Sequence, residues 1–104
     1  MKRWRCVICG EDILEGQRFT QLSEGYAHIE CIREKAAEKH GSPPRDMEAL
    51  LDALESALYG IVRAKEAARY ASDEDVRRII EKYRQMLEEE ALIMSVALES
   101  YLKD

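Results

Sequence analysis

The chain has 104 residues, enough for one ordinary domain or for a small module followed by a helical element. Charged residues make up 36% of it, the net charge is −5, and there is no Asn. This charge-rich, amide-poor composition fits a cytoplasmic protein from a thermophile. MKRWRCVICG is a basic start with no apolar region behind it, and the longest apolar run, 91–98, is too short to cross a bilayer. A secretory signal and a membrane partner are therefore not expected.

The negative charge is unevenly spread. Residues 1–40 carry seven basic and seven acidic side chains, whereas 41–104 carry nine and fourteen. Only Lys2, Arg3 and Arg5 form a basic cluster, which argues against binding of duplex DNA.

All three cysteines fall within one pattern, Cys6-x2-Cys9-x18-His28-x2-Cys31. Two close pairs separated by a loop are what a tetrahedral Zn²⁺ site needs, each pair spanning one edge of the tetrahedron. Without export, three cysteines are reduced ligands rather than disulfides. A Cys₃His set fills four-coordinate zinc and leaves no open position for water, so the expected ion is one structural Zn²⁺ per chain, with iron as the rival.

In chain order, Cys6-Val7-Ile8-Cys9-Gly10 reads as a zinc knuckle, a tight turn whose N–H groups point at the thiolates. Strands are expected at 17–22 and from Tyr26 to His28, joined by a turn at Ser23-Glu24-Gly25. A helix follows from Ile29 to His40, ended by Gly41. It places His28 and Cys31 on one face of its first turn. Knuckle, hairpin and helix together describe a treble clef over residues 1–41.

Gly41-Ser42-Pro43-Pro44 breaks the chain. Residues 42–104 then read as an antiparallel helical hairpin with helices at about 44–71 and 73–102. Met47, Leu51, Leu54, Leu58 and Ile61 mark the core stripe of the first. Ser72 is the expected cap of the second, with Asp75 completing a capping box. Its core face is expected to carry Val76, Ile80, Tyr83, Leu87, Met94, Leu98 and Tyr101. Segment 91–98 is apolar nearly all round, so it should join the two halves or bury itself against a second chain. The fold class is α+β, mainly α.

The first long helix has a second stripe, Ala53, Ala57, Gly60, Ala64, Ala67 and Ala71. Gly60 argues against helix propensity as its cause, because a mid-helix Gly costs about 1 kcal/mol relative to Ala. Small side chains let another helix approach closely. Together with segment 91–98, this stripe predicts a homodimer through the hairpin. Its close approach is expected near Gly60 and Ala64, so a Leu at either position would weaken self-association and spare zinc binding.

The remaining candidates have plainer readings. His40 is a surface cap at a helix C-terminus. Trp4, among Lys2, Arg3 and Arg5, packs over the metal core or stacks on a nucleobase. Glu88-Glu89-Glu90 is a solvated face. No nucleophile–base pair, phosphate loop or catalytic carboxylate pair is present, so no enzyme activity is expected.

The first forty residues resemble one half of a LIM-type, treble-clef zinc finger. Where a complete LIM domain carries a second zinc module, this chain has the Pro-Pro break and helices. The stretch WRCVICGEDILEGQRFT…YAHIEC is also similar to a family of small archaeal proteins of unknown function, which join such a finger to a helical tail. The resemblance implies zinc held by Cys6, Cys9, His28 and Cys31 and a role in interaction. The sequence thus predicts a zinc-stabilised protein-interaction module with an unidentified protein partner. The alternative is a nucleic-acid or ribonucleoprotein binder, with RNA left open, using Trp4 and the basic N-terminus.

Overall fold

The computed structural model describes residues 4–103. A small bridged turn pairs Arg5 with Asp12. Then come β1 (Phe19–Leu22), β2 (Gly25–His28), α1 (Ile29–His40), α2 (Arg45–Tyr70) and α3 (Glu74–Glu99). The architecture is α+β and mainly α: a two-stranded antiparallel hairpin, then a long helical hairpin.

β1 and β2 pair in the register Phe19↔His28 to Leu22↔Gly25. Strand alternation turns Thr20, Leu22 and Ala27 inward, where all three are buried. β1 begins two residues later than the sequence suggests. Gln17 is held in a turn instead: its N–H donates to the Leu14 carbonyl, and its side chain accepts from Leu14 N–H.

α1 stops where Gly41 donates its N–H to the Ala37 carbonyl. α2 starts after Pro44, with Asp46 and Glu48 in its first turn, where the helix dipole favours acids. The cap of α3 is Asp73 rather than Ser72. Its carboxylate accepts from the N–H groups of Asp75 and Val76 at 2.8 and 3.2 Å. Asp is at least as good a cap as Ser, so a shift of one residue costs nothing.

The stripe of small residues on α2 needs correction. Ala57, Ala64 and Ala68 are buried within the chain, and Ala53 is exposed. A Cβ on Gly60 would stand 3.0 Å from Leu87 and 3.9 Å from the Tyr83 hydroxyl. The helix that approaches closely is therefore α3 of the same chain. A side chain at position 60 would press on the end of Leu87, so glycine eases the contact between α2 and α3. On α3, Val76 and Tyr83 are half-exposed rather than core, since the far part of the hairpin is only two helices thick.

One hydrophobic cluster runs through both halves. It joins Cys6, Ala27, Ile29 and Ile32 to Met47, Leu51, Leu54, Leu98 and Leu102. Segment 91–98 does connect them, through one side only. Ala91, Ser95 and Leu98 are buried, and Ser95 Oγ donates to the Gln21 carbonyl at 3.0 Å. Ser23 donates through both N–H and Oγ to the Glu99 carboxylate. Leu92, Ile93 and Val96 remain exposed. Among the described residues, no helix is long and apolar enough to cross a membrane.

Candidate metal centre

Each predicted ligand is delivered by a different device. The knuckle supplies Cys6 and Cys9. It is closed by hydrogen bonds from Gly10 N–H to Cys6 O and from Cys6 N–H to Glu11 O, both 2.9 Å. Gly10 turns with φ 79°, in the left-handed region that favours glycine. β2 ends on His28, which caps α1 in an extended conformation. Cys31 follows on the first turn. A hydrogen bond from Val7 N–H to Tyr26 O, 2.9 Å, clips the knuckle to β2 and so brings the two pairs together.

The ligand atoms of Cys6, Cys9, His28 and Cys31 all lie within 4.8 Å of one another. His28 Nδ1 stands 3.5 Å from Cys9 Sγ and 3.6 Å from Cys31 Sγ. A tetrahedral Zn²⁺ with bonds of about 2.3 Å to sulfur and about 2.05 Å to nitrogen gives an S···N edge of about 3.6 Å. The cluster therefore has the dimensions of a coordination shell, and its donor set suits one such ion.

The electrostatics favour a cation. Burial pushes the Cys6 thiol up, but N–H groups of Cys9, His28 and Ile8 aim at its sulfur and bring it down to about 6. Two of these bonds, from Ile8 and His28, measure 3.4 Å. Cys31 is driven the other way, to about 12, first by burial and then by the Cys9 and Cys6 sulfurs beside it. The Cys9 and Cys6 sulfurs oppose ionisation of Cys31, and a divalent ion at this position would reverse that effect.

Gln17 is the residue that motif reading misses. Its Oε1 accepts from His28 Nε2 at 2.9 Å and from Leu14 N–H at 2.7 Å. With the proton held on Nε2, the Nδ1 lone pair faces the sulfurs. Metal-bound imidazoles are commonly oriented by such an outer partner. No spacing rule points to Gln17, because its contact with His28 depends on the turn at 14–17.

Trp4 packs edge to face on Tyr26, with centroids 4.4 Å apart, and Phe19 meets Tyr26 at 5.7 Å. Trp4 is nevertheless 45% exposed. Arg5 pairs with Asp12, while Lys2 and Arg3 of the basic cluster lie outside the described residues. His40 is more than a surface cap: its Nε2 donates to the Tyr101 carbonyl at 3.0 Å, tying the end of α1 to the chain beyond α3.

A family described as an uncharacterized protein conserved in archaea (DUF2175) matches residues 2–100. The chain belongs to this family. The match spans the metal module and nearly all of the helical hairpin, so the two halves are parts of one family pattern. No curated protein and no solved structure matches the chain.

Proposed function

We propose that this archaeal family member is a zinc-stabilised protein-interaction module with no enzymatic activity, built as a LIM-like, treble-clef finger with a self-associating helical hairpin. The observation that carries this reading is the convergence of four donor atoms, three sulfurs and one nitrogen, within 4.8 Å. Four protein ligands leave zinc no position for a water nucleophile, so the ion's work is to hold the fold. Reduced thiols of this kind belong in a reducing compartment, which supports the cytoplasm. The module docks Leu22 and Cys6 against the near end of the helices, so the metal also sets the shape of the hairpin's base. Exposed apolar side chains farther along, among them Tyr59, Val62, Ile79 and Met86, support a role in binding other chains, with a second copy of this one as the first partner.

Elemental analysis of protein purified without added metal should return one zinc per chain, and a transition-metal content near zero would end the reading. A second reading rests on the half-exposed rings of Trp4 and Phe19, which could stack on bases of single-stranded RNA. Salt separates the two, since phosphate contacts weaken steeply as salt rises and apolar association does not. The acidic helical half opposes binding to duplex DNA.

A further inference from the structure

The outward face of α3 carries a pattern of its own. Ile79, Met86 and Ile93 recur every seven residues and are 69%, 57% and 61% exposed. Leu87, Ala91 and Leu98, on the other side of the helix, meet the rest of the chain. A seven-residue apolar repeat forms a straight seam only against a second helix that winds with it. This seam has polar flanks. Lys82 and Glu89 lie along one flank, Tyr83 and Glu90 along the other, and all four are exposed. Neighbouring charges on α3 are engaged within the helix: Arg84 holds Glu81 and Glu88, and Arg78 holds Asp75. Among the described residues, Lys82, Glu89 and Glu90 have no ion-pair partner within the chain.

We propose that this face of α3 binds the same face of a second copy, antiparallel, with the twofold axis beside Met86. The proposal rests on the self-association reading above and gives it a place and a register. A twofold contact requires a self-complementary patch. With Met86 against its own counterpart, Ile79 meets the partner's Ile93, and Ile93 meets the partner's Ile79. Lys82 falls on the same flank as the partner's Glu89, about 1.5 Å from level. Tyr83 falls beside the partner's Glu90. Symmetry makes each pair occur twice. A parallel pairing would instead set Glu89 beside the partner's Glu90, twice, and leave Lys82 beside the partner's Tyr83, and like charges along a seam select against that orientation. Opposite charges at nearly equal distances on either side of an apolar centre suit a second copy better than an unrelated helix.

The test is a charge exchange in the full-length, zinc-loaded chain, with association read by sedimentation equilibrium at low ionic strength. Zinc content and circular dichroism serve as folding controls. Lys82→Glu and Glu89→Lys should each weaken the dimer about tenfold or more, since each creates two like-charge contacts. The double exchange should restore affinity to within about threefold of the wild type. Within one chain the two positions are about 10 Å apart along the helix, so rescue must act between chains. Met86→Glu should abolish the dimer, because it places two carboxylates on the axis. A wild-type dimer indifferent to these changes, or weakened without rescue, overturns this seam and leaves self-association standing. A wild-type chain that stays monomeric at tens of micromolar overturns both.

Discussion

The two ends of the helical hairpin have the same secondary structure and very different surroundings. At the near end, Met47, Leu51, Leu54 and Leu98 are sealed under the metal module. At the far end, Tyr70 is 81% exposed, and Val76 and Ile79 also face outward. The near end is a three-layer core, whereas the far end is a two-helix seam that can bury little more than the face of each helix. Small size explains the difference. A short chain cannot enclose both ends of two 26-residue helices, and here the metal module is spent on one of them.

The strongest way to break this contrast is to remove the metal. Cys31→Ala should abolish stoichiometric zinc and unfold residues up to about 40, because structural zinc in small modules is worth about 10–16 kcal/mol of apparent binding energy. Circular dichroism should still show most of the α2–α3 helix signal. Loss of all helix together with the zinc would mean that the far end does not stand without the near end. Leu54, 1% exposed, sharpens the comparison. Leu54→Ala should cost about 2–5 kcal/mol in denaturant unfolding, against about 0.5 kcal/mol or less for Tyr70→Ala. Equal effects would contradict the asymmetry.

Gly60 faces Leu87 across the seam between the two long helices. Gly60→Leu should destabilise the chain by about 1–3 kcal/mol through overpacking against Leu87, with zinc content unchanged. An unaffected melting temperature would show that the seam yields there. At Gln17 the expected effect falls on the metal site rather than on the fold. Gln17→Leu should weaken zinc affinity about 10- to 100-fold, as read by competition with a chromogenic chelator, while the fold stays intact at saturating metal. Unchanged affinity would show that His28 is oriented by the β2–α1 junction alone. Because Cys31 is held up near 12 in the metal-free chain, loading at neutral pH must displace its proton, so affinity should rise with pH.

Much of this fold can be read in the sequence, where the signals are local and single-valued. Helix α1 is bounded by His28 and Gly41, and the observed span is Ile29–His40 as expected. The four ligands share one pattern and converge. Local rules fail where two answers fit equally well. Ser72-Asp73 offers two adjacent caps, and side-chain chemistry alone does not choose between them. The stripe through Gly60 correctly announces a close helix approach, but periodicity cannot say whose helix approaches. Geometry answers that: the short turn after Tyr70 folds α3 back on the same face. Gln17 and His40 act through contacts 11 and 61 residues away, distances at which neither pattern nor propensity carries information.

The contacts that tie α3 to the hairpin of β1 and β2 have a temporal consequence. Ser95 reaches Gln21 and Glu99 reaches Ser23 across 74 and 76 residues of chain. All four metal ligands, by contrast, have left the ribosome once Cys31 has emerged. During synthesis the N-terminal module can capture its ion and close while the second helix does not yet exist. Docking must wait for the last residues, since Leu98 and Leu102 complete the core. With a metal bound as proposed, folding divides into an early local step that depends on metal supply and a late long-range step that depends on chain completion. If the four ligands bind zinc as proposed, a chain released before Glu99 would keep that site and still leave the base of its helices uncovered.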